Sequence, residues 1–118
     1  MTKSIEQVFN ENPELHSLGW LVKGQEERLK WKPNLNEVGL AMRFIQEHAV
    51  PRRVSSRSQG SYGLKHAVER WAGTYISNGA FIAAALALGY EARRFPNSPN
   101  CAFNLVVPDR FMPWGQRT

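Results

Sequence analysis

The sequence predicts a small, mainly helical α+β domain, with three principal helices, an alanine-rich one at the centre, and a C-terminal β-hairpin. Three observations lead there. Residues 34–49 repeat apolar side chains at helical spacing behind a capping residue. Residues 79–88 carry no charge and end at Gly89, so that segment is apolar on every side and belongs in the interior. Residues 90–107 hold two short extended runs on either side of Pro96, Asn97, Ser98, Pro99 and Asn100, which is dense turn chemistry.

Taken in order, Ser4 can cap a first short helix on which Val8 and Phe9 supply apolar bulk. Pro13, behind Asn12, is placed to open a second helical turn. Gly19 to Val22 is expected to be extended and to end at Lys23 and Gly24. The polar run from Gln25 to Lys32 encloses Leu29 and Trp31 and stops at Pro33. Asn34 followed by Glu37 has the spacing of a capping box, with Asn where Ser or Thr is usual. Leu35, Val38, Met42, Ile45 and Ala49 fall on one stripe of the helix that follows, with Ala41 beside it, and Pro51 ends it near His48.

Pro51 to Gly60 is a polar loop with three arginines, three serines and no acid. Ser61 is the expected cap of a second helix reaching to about Trp71, burying Leu64, Ala67, Val68 and Trp71. Lys65 and Glu69 form a four-residue pair on its opposite face, and Gly73 is a natural stop. Ser77 or Asn78 caps the apolar helix. Tyr90–Phe95 and Cys101–Val107 are the two strands of the hairpin, and Pro108 ends the second. The 118 residues suit one domain: residues 1–33 an N-terminal region of short elements, 34–107 the core, and 108–118 a tail held by Phe111 and Trp114.

Composition excludes several classes. A chain that is 42% hydrophobic, with four Trp, six Phe and three Tyr, has enough apolar surface to offset the entropy lost on ordering. Its longest apolar run, Ala80 to Leu88, is about half the ~20 residues that cross a bilayer, so no membrane association is expected. Residues 1–6 lack a secretory pattern and Cys101 has no cysteine partner, which points to a reducing, cytoplasmic setting.

No metal, cofactor or catalytic machinery is expected. His16, His48 and His66 are scattered, and the His66–Glu69 spacing makes a metal site only with further carboxylates from other helices. Cys101 has no neighbouring base to activate it and reads as an apolar strand residue. No acid–base pair or phosphate-binding glycine loop stands out, so the chain reads as a non-enzyme.

Charge carries the functional signal. Residues 1–42 hold five Lys or Arg against six Glu, whereas residues 43–118 hold ten basic residues against four acidic ones. The excess is mostly arginine, whose planar fork suits phosphate and carboxylate. It concentrates in Arg52, Arg53, Arg57, Lys65 and Arg70, among Ser61, Tyr62 and Gly63, with Arg93 and Arg94 on the hairpin as a possible extension. Arginines, hydroxyls and helix N-terminal amides together hold phosphate backbones, and Tyr62 offers a stacking face. The expectation is an accessory protein that binds nucleic acid, DNA or RNA, without strong sequence preference. A helix-turn-helix is excluded by residue type, because the run from Phe81 to Leu88 has no polar side chain to reach bases. The alternative is a binding module or inhibitor that sets the same basic surface, with Trp31 or Trp114, against an acidic protein. In the blandest case the arginines are solvated or pair with the glutamates of residues 6–37.

Overall fold

A computed structural model describes residues 2–113 and shows the α+β domain that the sequence predicts. Its centre is α4 (Asn78–Ala87), in which every residue but Leu86 is buried. The Ser77 hydroxyl caps it by accepting the amide N–H of Ala80 at 3.1 Å. Small side chains let other elements come close. A Cβ at Gly79 would land on the carbonyl of His16, so only glycine fits there.

Around α4 pack α1 (Ile5–Glu11), α2 (Leu35–His48) and α3 (Ser61–Ala72). In α2, Asn34 Oδ1 accepts the amides of Asn36 at 2.9 Å and Glu37 at 3.1 Å. The reciprocal half of the capping box is absent, because the Glu37 carboxylate accepts the Ser77 amide at 2.8 Å instead. That bond ties the start of α2 to the start of α4. The buried face of α2 is Val38, Ala41, Phe44 and Ile45, turned from the expected stripe. Leu35 lies 65% exposed in the first turn, whereas Phe44 is fully buried against Trp71 and Phe111. Long-range aromatic packing, not local periodicity, sets the rotation of α2.

The strand elements are short and paired in twos. At the N-terminal side, Asn12 closes α1 and Pro13 opens no helix; β1 (Leu15–His16) and β2 (Gly19–Trp20) form a small antiparallel hairpin in its place. Only a 3₁₀ turn at Glu26–Lys30 interrupts the chain before α2. The C-terminal hairpin is β4 (Ala92–Arg94) against β5 (Cys101–Phe103), in register Arg93 to Ala102. The second strand does not continue to Val107 in one sheet. At Asn104 it changes partner, and β6 (Leu105–Val106) pairs with β3 (Val50–Pro51). Asn104 serves both ribbons, its side-chain oxygen accepting Glu91 N–H at 2.8 Å and its carbonyl accepting Arg52 N–H at 2.9 Å. Pro51 is tolerated because a two-stranded ribbon leaves its nitrogen on an open edge.

Residues 108–113 are not a loose tail. Asp109–Phe111 forms a 3₁₀ turn, Phe111 packs edge-on to Phe44 at 5.2 Å, and Met112 is fully buried. Trp114 lies outside the described residues.

Candidate nucleic-acid interface

The arginine loop leaves β3 at Arg52 and enters α3 at Gly60, and it is anchored at both ends. Arg52 N–H is held by Asn104, as above. Near the other end, buried Gln59 makes a two-way bond with the backbone of Val107: its Oε1 accepts Val107 N–H at 2.9 Å and its Nε2 donates to Val107 O at 3.1 Å. Between them, the Ser55 and Ser58 hydroxyls accept the amides of Arg57 and Ser55 at 3.1 and 2.8 Å. The serines thus shape the loop.

Arg52, Arg53 and Arg57 are exposed, as is Arg93 on β4. None of the four has an ion-pair partner among the described residues. Arg53 and Arg93 line one open hollow of about 420 Å³ together with Asn104 and Glu91. Arg52 lines a different hollow, of about 390 Å³, with His48 and Asp109. Arg52 and Arg53, adjacent in sequence, thus border different hollows.

Other members of the basic run are engaged elsewhere. Arg94 pairs with Glu14, donates to Leu21 O at 3.2 Å, and lies over the Trp20 ring at 4.7 Å. Here an N-terminal glutamate does meet an arginine, but on the far side of β4 from Arg93. Arg70 donates to Phe111 O at 3.1 Å and so holds down the C-terminal segment. Ser61 is the first residue of α3, not its cap; the cap position is Gly60. The Ser61 hydroxyl accepts Cys101 N–H at 3.1 Å and is fully buried, out of reach of a phosphate. Gly63 is half-buried in the first turn of α3, next to exposed Tyr62.

Lys65 corrects the simple picture of an outward charged pair. It is 6% exposed, and its ammonium bonds Glu69 Oε2 at 3.0 Å. The same oxygen accepts Ile76 N–H at 3.1 Å, and Oε1 meets His66 Nδ1 at 2.7 Å. Burial by itself would raise the Glu69 carboxyl, but the Ile76 amide, Lys65 and His66 overcome it and hold the group below the usual carboxylate value. The Lys65 ammonium also lies 5.4 Å from the Tyr62 ring centroid and 4.7 Å from that of Tyr75. Tyr75 and Asn100 were invisible as site residues in the sequence. The available signal was an aromatic residue in a three-residue linker between two capped helices.

Trp31 is about half exposed, with Lys30 Nζ 5.5 Å from its ring. Burial pushes the Cys101 thiol up to about 11, so it stays protonated at neutral pH. Among the described residues no three His, Cys, Asp or Glu side chains are grouped to hold a metal, and no helix is long and apolar enough to cross a membrane.

Comparison with protein-family models, with curated proteins and with solved structures finds no match to this chain. Its function therefore has to be argued from the chemistry of its own surface.

Proposed function

We propose that this protein binds nucleic acid through the phosphate backbone, without strong sequence preference, using Arg52, Arg53, Arg57 and Arg93. The observation that carries the reading is that four exposed guanidinium groups on a pinned loop and the adjoining hairpin have no carboxylate partner among the described residues. For contrast, Arg94 is paired with Glu14, and Arg70 donates to the Phe111 carbonyl. A loop fixed by Asn104 and Gln59 presents its cations with little ordering cost on binding. Arg52 and Arg53 border different hollows, so the phosphates they meet lie along a wrapped path and not in one pocket. Of the other basic-run residues, Lys65 and Ser61 are buried, and Arg70 and Arg94 are already engaged with Phe111 O and Glu14, so they are not among the proposed phosphate contacts. A second reading, docking on an acidic protein, is favoured only by the half-exposed indole of Trp31.

Fluorescence anisotropy with labelled single- and double-stranded DNA and RNA at several salt concentrations tests the proposal. Binding on the order of 1–100 μM near physiological salt, weakening linearly on a log–log plot, is expected. Converting Arg52, Arg53 and Arg57 together to Glu should abolish it, and each Arg→Ala change should flatten the salt slope by about 1. No binding even at low salt would overturn the proposal. Trp31→Ala, in pull-downs against acidic protein partners, would then examine the second reading.

A further inference from the structure

Beside the arginine loop, at the start of α3, lies an open hollow of about 410 Å³ lined by Leu18, Tyr62, Lys65, Tyr75, Pro99 and Asn100, among others. Its construction is unusual for a surface hollow. Tyr62 and Tyr75 are 56% and 58% exposed, yet both rings flank one nearly buried ammonium, that of Lys65. Two aromatic faces around a cation site would ordinarily suit a quaternary or methylated ammonium ligand. Here the protein's own lysine already occupies that position, and a second cation would be repelled. The hollow accepts a neutral or electron-rich ring.

Its polar groups include two sources of donors, Lys65 and Asn100, and one unpartnered acceptor, the Oδ1 of Asn78. Glu69 accepts one Lys65 N–H, and the ammonium has two further N–H groups to donate. Asn78 Nδ2 donates to Leu18 O, Pro99 O and Asn100 Oδ1 at 3.1, 3.2 and 2.9 Å. This fixes the Asn100 carboxamide with its oxygen toward Asn78, and its own NH₂ group has no partner among the described residues. A flat ring with carbonyl oxygens on one edge meets both requirements: the tyrosine faces take its π surface, and Lys65 and Asn100 donate to its edge.

We infer that this hollow binds an unstacked, carbonyl-bearing nucleobase, which makes the protein a single-strand binder. The inference rests on the proposed phosphate contacts, because base stacking needs the strand to be held nearby. Tyr62 follows Arg57 by only five residues, a span of at most roughly 18 Å of extended chain. A paired base cannot enter, since its carbonyl edge is already hydrogen-bonded and its faces are stacked.

Anisotropy titrations with labelled oligo(dT), an abasic strand of the same length, and a duplex separate the two layers of the proposal. Oligo(dT) is expected to bind about ten-fold more tightly than either of the others. Tyr62→Ala with Tyr75→Ala should erase that advantage, whereas Tyr62→Phe with Tyr75→Phe should keep it. The exposed rings can be removed without unfolding the chain, which a thermal melt confirms for each variant. Equal binding of all three probes, sensitive to Arg52→Glu, Arg53→Glu and Arg57→Glu but not to loss of the tyrosine rings, would overturn the base site and leave the phosphate reading standing. No binding of any probe would overturn both.

Discussion

His16 shows how one residue can couple this fold to pH. It is fully buried between the first hairpin and α4, and its Nδ1 accepts Leu18 N–H at 3.1 Å. The ring proton therefore sits on Nε2, which has no partner among the described residues. Burial, with the nearby charge of Arg28, pushes its pKa below the ordinary 6.5. In the unfolded chain His16 takes up a proton near pH 6.5, whereas the folded form resists until lower pH. Stability is thus full above about 6.5 and falls as pH drops towards and through the depressed native value. The slope from this one group is at most about 1.4 kcal/mol per pH unit. Urea midpoints measured from pH 8 to pH 5 should decline below 6.5, and His16→Asn should flatten that decline. An unchanged slope in the variant would show that other groups carry the acid sensitivity. Nothing in the local sequence warns of this, since a histidine beside Leu15 and Ser17 looks like any polar position; its burial comes from α4 lying across it.

At the level of elements, what could be read in advance is what is local. The Asn34 and Ser77 caps, the left-handed Gly73 stop and the charge-free run of α4 each depend on neighbours within a few residues, and each is found. The misread elements depend on distant partners. β1, β3 and β6 are two residues long, too short for any alternation, and exist only because another segment lies alongside. The helix expected at Pro13 gives way to such a pairing. Gly79 sets local and distant effects directly against each other. Helix propensity alone says that Gly79→Ala stabilises α4 by about 1 kcal/mol. The added Cβ would strike the His16 carbonyl, which is backbone and cannot swing aside. The clash is expected to win, with a net loss of about 2 kcal/mol or more on the scale of overpacked cores. Chemical denaturation decides between the two, because a gain in midpoint would mean that the β1–β2 hairpin shifts freely over α4.

For the whole molecule, the charge imbalance was legible and its distribution in space was not. The sequence places the excess cations after residue 42 and offers the Lys65–Glu69 pair by spacing, but only the fold shows Arg94 paired with Glu14 and Arg70 donating to the Phe111 carbonyl. Among the other described cations after position 42, Arg43, Arg52, Arg53, Arg57, Arg93 and Arg110 remain exposed without an ion pair, and of these Arg52, Arg53, Arg57 and Arg93 sit on a loop and a hairpin that are themselves held in place from the C-terminal side. Val107 grips Gln59 at the end of the arginine loop, and the chain directly after it folds back over α2 and α3. Met112 is fully buried there, five residues beyond the last expected strand, in a segment that composition alone made a tail. Its loss should therefore act as a core mutation. Met112→Ala is expected to cost about 2–5 kcal/mol, a large part of the roughly 5–15 kcal/mol that stabilises a typical domain. Such a variant should also bind labelled oligonucleotide more weakly as temperature rises, because the loop loses its anchor as the domain opens. If the Met112→Ala midpoint matched wild type, residues 108–113 would be an attached strand-end and not part of the core. The arginine loop would then be held by Asn104 and Gln59 alone.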